Sequence, residues 1–239
     1  MSIRVAICDY GVGNLHSVER ALLHAGAEVV LTGDAATMRD CAGVVLPGVG
    51  AFGAAVDALE QTGLGEVVLD IAQSGVPLLG VCLGHQLLFE ESDENGGRRG
   101  LGLLPGRIVR LERDRGKIPH MGWNQLTMTR PSPLFDGIDS GAYVYFVHSY
   151  AAITDSDAVV ATTDYGGPMV AACARDNVWS TQFHPEKSGS TGLRIYANFV
   201  KVCAAVPLGA DAPGGRSTAR PSIAAGVRPN DSLPPASPA

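Results

Sequence analysis

The sequence has few aromatic residues, no long apolar run and no excess of basic charge. Aromatic side chains make up 6% of its 239 residues, and the formal net charge is -6 at pH 7. Because phosphate backbones are bound by basic surfaces, this balance argues against nucleic acid as the main partner. No apolar run approaches the roughly 18 residues of a membrane span, and the amino terminus lacks the pattern of an export signal. We therefore expect a cytoplasmic protein.

Cysteine pairs at metal-binding or redox spacing are also missing. The chain has five cysteines, an odd number, and none of them forms a CxxC motif. This excludes a disulfide framework and argues against a zinc site, and we expect no metal and no cofactor. Cys8, Cys41, Cys173 and Cys203 are expected to be small buried hydrophobic side chains.

The composition indicates one globular domain followed by a tail. Apolar residues make up 46% of the chain and charged residues 18%, which is typical of a folded domain. The composition changes near Val206, after which the chain holds seven of its fifteen prolines and no aromatic residue. We predict a domain over residues 1–205 and a disordered tail over residues 206–239, because such a tail cannot bury enough surface to offset its chain entropy.

Strand-like and helical segments alternate in the first half of the chain. Residues 3–10, 43–50 and 76–82 are apolar enough for strands buried on both faces, with helices predicted between them, one of them ending near Gly26. The fold class is therefore α/β, with a mostly parallel central sheet and flanking helices. The second half is richer in β-branched residues and is predicted to be partly antiparallel, with a last helix at about 191–204.

A cysteine lies between two glycines where a buried strand meets a helix. GVCLG, residues 80–84, has the form of a nucleophile elbow, in which a sharp turn exposes the central side chain at the edge of the sheet. The helix that follows favours the thiolate, and the Leu83 N–H is placed to hold an oxyanion. Cys82 is thus a candidate nucleophile. The alternative is a buried cysteine in an ordinary tight turn.

QFHPE, residues 182–186, supplies a candidate proton carrier. His184 and Glu186 are two residues apart, so in an extended segment their side chains project to the same side. Pro185 favours that extension. A carboxylate beside an imidazole fixes its tautomer and stabilises the imidazolium. A loop histidine near a solvated acid is the alternative.

Three glycine-containing segments are weaker signals. VLPGVGAFG, residues 45–53, would let a backbone N–H turn toward a developing negative charge, or is a plain glycine-rich turn. DYGVGNLHS, residues 9–17, is a poor match to a dinucleotide-binding loop because His16 stands where the third glycine should be. PHMGWN, residues 119–124, carries an aromatic residue that is either a surface contact or part of the core.

With these motifs in place, the chain resembles class I (triad) glutamine amidotransferases over roughly residues 3–203. It is most similar to the branch that forms glutaminase subunits of imidazole glycerol phosphate synthase, because DYGVGNLHSV, LPGVGAFG, PHMGWN, YFVHSY and QFHPEKSGSTG occur in the same order at similar spacing. One departure is His85, where many relatives of this branch carry Met. The resemblance implies a flavodoxin-like α/β fold and hydrolysis of glutamine to glutamate and ammonia.

The resemblance also implies roles for individual residues. The catalytic triad would be Cys82, His184 and Glu186. The oxyanion would lie on backbone N–H groups of Leu83 and of the Val49–Gly50 turn. The glutamine would be held by five residues: Gly48, Gln86, His148, Ser149 and Tyr150. The partner would be a (β/α)8-barrel cyclase subunit, forming a heterodimer through four residues: Asn14, His120, Trp123 and Lys187.

Three other functions are compatible with parts of the pattern. Another amidotransferase branch, such as anthranilate synthase, would share the triad, but PHMGWN argues against it. A stand-alone cysteine hydrolase would be fully active without a partner. A non-enzymatic binding module would have to retain all three triad residues by chance.

Overall fold

The computed structural model describes residues 2–154 and 157–206, so the tail predicted for residues 206–239 lies almost entirely outside the described residues. In these two ranges no helix is long and apolar enough to cross a membrane. The helices are α1 (Leu15–His24), α2 (Ala35–Arg39), α3 (Phe52–Thr62), α4 (Leu64–Gln73), α5 (Leu83–Leu87) and α6 (Gly189–Ala205).

The first strands along the chain are β1 (Ile3–Cys8), β2 (Ala27–Thr32), β3 (Gly43–Leu46), β4 (Leu78–Val81), β5 (Phe89–Ser92), β6 (Arg98–Arg99) and β7 (Leu104–Arg110). They are followed by β8 (His120–Gln125), β9 (Thr127–Met128), β10 (Tyr143–His148), β11 (Tyr150–Ile153), β12 (Val159–Asp164), β13 (Pro168–Arg175) and β14 (Val178–Thr181).

An eight-stranded sheet forms the centre of the fold, in the order β2-β1-β3-β4-β14-β13-β12-β9. The strands from the first half pair in parallel, and β14, β13, β12 and β9 pair with one another antiparallel. The predicted α/β class, with a parallel first half and an antiparallel second half, is therefore confirmed.

Strand β14 is the one second-half strand in the main sheet that also pairs in parallel. It lies beside β4, with Thr181 opposite Val81. Because the carboxyl ends of parallel strands meet at one edge, the residues after β3, β4 and β14 emerge side by side. Ligand sites of open α/β sheets lie at this edge.

Apolar side chains cover both faces of the main sheet. Along β1, Val5 and Ile7 pack in one cluster with residues of α1 and α6, whereas Ala6 and Cys8 pack in another with residues of α3 and α4. This alternation is the two-residue period of a strand buried on both sides. It explains why the first-half strands are continuously apolar in sequence.

Two smaller sheets were not foreseen as separate units. AYVYFVHSYAA, residues 142–152, is one continuous strand-like run in the sequence, but the strand breaks at Ser149. Before the break, β10 pairs with β8; after it, β11 joins β7, β5 and β6 in a four-stranded sheet. The break follows from long-range pairing with two different partner strands, which the local β-branched pattern does not encode.

Candidate active site

Cys82 lies at the turn between β4 and α5 with φ 55° and ψ −105°. This backbone conformation is strained for a residue with a side chain and typically costs about 1–3 kcal/mol. The turn directs the thiol into a cavity at the carboxyl edge of the sheet. The structure thus has the elbow geometry that GVCLG predicts.

The two flanking glycines allow close packing around that turn. A Cβ on Gly84 would lie 1.8 Å from the Leu46 carbonyl oxygen, and one on Gly80 would lie 2.8 Å from the Gly84 carbonyl oxygen. Neither glycine has a positive φ. Their function is therefore to let α5 lie directly against β3 and β4, rather than to permit an unusual backbone conformation.

His184 and Glu186 follow β14 and form a buried pair. The His184 Nδ1 is 2.7 Å from Glu186 Oε1, and the two side chains are 3% and 2% exposed. The backbone of this segment is held by Ser188, whose hydroxyl donates to the His184 carbonyl and accepts from the Tyr145 N–H. The tripeptide HPE thus places its two polar side chains together as the sequence predicts.

The environment of His184 favours its protonated form. Burial by itself lowers the pKa of His184, but hydrogen bonds and charge interactions with Cys82 and Glu186 outweigh it and raise the pKa to about 10. An imidazolium beside a cysteine stabilises the thiolate. His184 and Cys82 line the same cavity at this edge of the sheet, as a proton-exchanging pair requires.

Gln182 is a buried contact of Cys82 that the sequence reasoning missed. It is 0% exposed, and its Nε2 lies 4.0 Å from the Cys82 Sγ. Its Oε1 accepts a 3.0 Å hydrogen bond from Gln86 Nε2. The sequence signal that could have identified Gln182 is its position directly after β14, two residues before His184.

A cavity of about 400 Å³ opens at this edge of the sheet. Of the predicted catalytic, oxyanion and substrate residues, the cavity is lined by Val49, Gly50, Cys82, Leu83, Gln86, His148, Ser149, Tyr150 and His184. Lys187 lines it as well, together with three residues not singled out from the sequence, Glu94, Pro119 and Val147. Glu94 also accepts a hydrogen bond from the Phe52 N–H at the start of α3.

A family model described as glutamine amidotransferase class-I matches residues 6–203. The chain belongs to this family. Three similar relatives are each called imidazole glycerol phosphate synthase subunit HisH. The protein of Geobacillus sp. (strain WCH70) is 47% identical over 204 residues, covering 83% of this chain and 96% of that protein. Those of Syntrophotalea carbinolica and Halobacterium salinarum are 50% and 52% identical, covering 82% and 84% of this chain and 98% and 94% of theirs.

Two solved structures share the fold at lower identity. The chain superposes on PurLQS from Thermotoga maritima with a TM-score of 0.67 and 18% identity, covering 84% of this chain and 99% of the other. A structure described as a glutamine amidotransferase gives the same TM-score and identity, covering 84% of this chain and 98% of the other. These two comparisons support the architecture only.

A chain of neutral histidines lies behind the cavity of this amidotransferase. Burial lowers the pKa of His148 to about 3 and that of His120 to about 4. Nδ1 of His148 lies 2.8 Å from the Tyr150 carbonyl and must carry the proton there, so its Nε2 accepts from Nδ1 of His120 at 3.1 Å. Asn124 Nδ2 lies 3.3 Å from His120 Nε2 and can donate to it. These hydrogen bonds fix the tautomers of the His120 and His148 rings.

The four residues predicted for the partner interface differ in exposure. Asn14, Trp123 and Lys187 are exposed, and Trp123 has a relative exposure of 56%. His120 is only 3% exposed and is stacked between Phe146 and Tyr165. Its side chain lies in the interior because His120 and Trp123 occupy opposite faces of β8. We therefore omit it from the docking surface and assign it to the support of His148.

We expect the protein to lose stability in mild acid because of its buried histidines. His85 is 0% exposed, and burial, followed by the nearby His148, lowers its pKa to about 3. The unfolded chain binds a proton near pH 6.5, so below that pH it takes up more protons than the folded chain and is favoured. His85→Met should reduce the pH slope of the unfolding free energy by about 1.4 kcal/mol per pH unit between pH 6 and 4.

Denaturant unfolding at several pH values measures this slope. The pH slope is compared, rather than the stability at one pH, because His85→Met also removes a hydrogen bond. The Ser180 hydroxyl lies 2.7 Å from His85 Nδ1, and losing this contact changes stability at every pH. Leu88→Met, at a buried position, exchanges no titratable group and should leave the slope as it is. An unchanged slope in His85→Met would show that His85 is not held neutral by the fold.

Proposed function

We propose that this chain is the glutaminase subunit of imidazole glycerol phosphate synthase and supplies ammonia for histidine biosynthesis. The observation that carries the proposal is a strained elbow that directs Cys82 into the cavity lined by His184, which is paired with the buried Glu186 side chain. The relatives' shared name supports the branch. A nucleophile, a base and an orienting carboxylate are the parts that hydrolysis of an amide needs.

The reaction then follows from these three side chains. The Cys82 thiolate attacks the glutamine side-chain carbonyl, and the His184 imidazolium donates its proton to the departing nitrogen, which leaves as ammonia. Water attacks the resulting thioester with His184 as base, releasing glutamate and restoring the thiol–imidazole pair. Glu186 accepts from Nδ1 throughout and keeps Nε2 directed at the sulfur.

The oxyanion site requires a change of one peptide. The Leu83 N–H donates to the Gly48 carbonyl over 3.3 Å in this structure, so it is already occupied. Turning the Gly48–Val49 peptide would free this donor and direct the Val49 N–H into the site. The peptide that turns is therefore Gly48–Val49, one position before the peptide between Val49 and Gly50 in the turn that the sequence indicated. Pro47, the residue before this peptide, is anchored by Tyr10, because the Tyr10 hydroxyl donates to the Pro47 carbonyl over 2.8 Å.

Gln86 and the segment from His148 to Tyr150 are placed to hold the glutamine. Gln86 Nε2 donates to the Tyr150 carbonyl and to Gln182 Oε1, both at 3.0 Å. With both N–H groups used, Gln86 offers only its Oε1 to a ligand, as an acceptor for the amide or ammonium of glutamine. Gly48 contributes through its backbone, because a side chain there would meet the Tyr10 hydroxyl at 2.6 Å.

A partner is needed because ammonia in neutral water is largely protonated, and ammonium is no nucleophile. The exposed face of β8 and β10 offers a docking surface of Met121, Trp123 and Tyr143, which are 62%, 56% and 54% exposed. Trp123 contacts Tyr145 edge-to-face and lies over Gly189, next to the turn that carries Glu186 and Lys187. A cyclase subunit bound here would cover the catalytic edge of the sheet.

Glutamine turnover with and without candidate partners tests this function. We expect the isolated chain to be slow, because Leu83 N–H is occupied, and a cyclase subunit with its nucleotide to accelerate it by about 100-fold or more, the effect of gaining oxyanion donors. Full activity without a partner would indicate a stand-alone hydrolase. Stimulation only by a non-histidine synthase would assign the chain to another branch.

Trp123→Ala locates the docking surface in the same assay. This variant should require a higher cyclase concentration for half-maximal stimulation, since buried aromatic residues often dominate interfaces. Ile153→Ala is the matched control, because Ile153 is 55% exposed but lies in the other small sheet. Equal partner affinity for both variants would place the interface elsewhere.

A further inference from the structure

The triad carboxylate has one oxygen without a partner. Glu186 Oε1 is taken by His184, whereas Oε2 is buried and makes no hydrogen bond of normal geometry with any described residue. A charged oxygen buried without a donor is costly, so such atoms in native proteins usually have a partner close by. Any donor near Oε2 is therefore a candidate for controlling this carboxylate.

Tyr196 of α6 presents such a donor. Its side chain is 0% exposed, and its hydroxyl likewise lacks a hydrogen bond of normal geometry within the described residues. Burial raises the pKa of the Tyr196 phenol well above its ordinary value, and the charge of the adjacent Glu186 carboxylate raises it further. The phenol thus keeps its proton and remains a hydrogen-bond donor.

The packing of α6 brings the two groups together. A Cβ on Gly192 would lie 1.7 Å from the Pro185 carbonyl oxygen, so the glycine lets the helix lie directly on the turn that carries Glu186. Tyr196 follows Gly192 by four residues and is on the same side of the helix. The contact is therefore fixed by a rigid helix rather than by a loop.

We propose that Tyr196 is a positioning residue that donates its hydroxyl proton to Glu186 Oε2 and fixes the plane of the carboxylate. With Oε2 held, Oε1 stays aligned with Nδ1 of His184, and the imidazole stays directed at Cys82. The donor also satisfies the second oxygen of the buried carboxylate, which would be costly without a partner. This role rests on the proposed glutaminase function and adds a fourth member to the catalytic relay.

Tyr196→Phe in the full chain with its cyclase partner is the test, because it removes one oxygen atom and keeps the ring. We expect kcat for glutamine to fall about tenfold, the loss of one hydrogen bond to a charged group, with KM changed less than twofold. A merely structural role of Tyr196 would lower the melting temperature without this split between kcat and KM. Unchanged kcat would overturn the proposal.

Phe199→Leu separates positioning from helix stability. Phe199 is also fully buried on α6, so this variant should lower the melting temperature and leave kcat for glutamine unchanged. If Phe199→Leu lowers kcat as far as Tyr196→Phe does, the effect belongs to the helix as a whole and the proposal fails.

A measurement independent of activity separates this proposal from the proposed function. The His184 Nδ1 proton should give a downfield proton NMR signal that is lost in His184→Gln. In Tyr196→Phe this signal should shift and broaden at the same pH, because the carboxylate that accepts the proton is held less firmly. If the parent protein hydrolyses no glutamine, the proposed function fails, but this signal still tests the contact between the Tyr196 hydroxyl and Glu186. An identical signal in the parent protein and in Tyr196→Phe would refute that contact.

Discussion

Cys82→Ala is expected to lower glutamine hydrolysis by about 10⁴-fold or more, because no other group at the elbow can form the thioester. The complex with the cyclase subunit should still make its product from supplied ammonium salts, since that reaction bypasses the thiol. Both expectations are checked by measuring glutamate release and product formation, once with glutamine and once with ammonium salts as the nitrogen source. Loss of both activities would mean that Cys82 is structural.

Cys173→Ala is the matched control for that variant. Cys173 is a fully buried cysteine in β13, and burial raises the pKa of its thiol to about 12, which keeps it protonated and unreactive. Replacing it should lower stability slightly and leave glutamine hydrolysis unchanged. Equal loss of activity in both variants would point to a general packing defect.

Gly84→Ala is expected to lower the free energy of unfolding by about 3 kcal/mol or more, at the upper end of overpacking effects. The new methyl group would lie 1.8 Å from the Leu46 carbonyl oxygen, and backbone of a central strand cannot move aside as a flexible side chain can. Either α5 separates from β3 or the chain fails to fold. Denaturant unfolding, or the soluble yield if unfolding cannot be measured, checks this.

Gly53→Ala makes the same chemical change at a helical glycine with space. A Cβ there would have Arg98 Cγ as its nearest neighbour, at 3.8 Å, which is ordinary contact. Within α3 the substitution should be neutral or stabilise the protein by up to about 1 kcal/mol, the helix propensity difference between the two residues. If Gly84→Ala is as stable as Gly53→Ala, the close approach of α5 to β3 is not required.

The triad candidates were predictable because each has a local signature. GVCLG encodes an elbow in five residues and HPE encodes an oriented imidazole in three, so short-range stereochemistry was sufficient. The bounds of α6 and the end of α1 near Gly26 were likewise close to those expected from the sequence. Glycine and proline restrict the backbone wherever they occur, independently of the rest of the fold.

The supporting residues were not predictable in the same way. His120 lies within a glycine-rich, aromatic motif that suggested a surface, but its position on β8 turns it inward under Tyr165 and Phe146. Tyr196 resembles any other apolar position of an amphipathic helix until the turn at Glu186 is packed against it. These contacts depend on which elements meet, and side-chain periodicity does not specify that.

The sequence by itself determined the candidate reactive groups, the α/β class and the family, because these depend on residue type and short spacing. The tertiary structure decided that Cys82 and Gln182, 100 residues apart in the chain, lie side by side. That neighbourhood arises because β14 pairs in parallel with β4 at the centre of the sheet, which brings the ends of both strands to one edge. Strand order is set by long-range burial, and no local pattern records it.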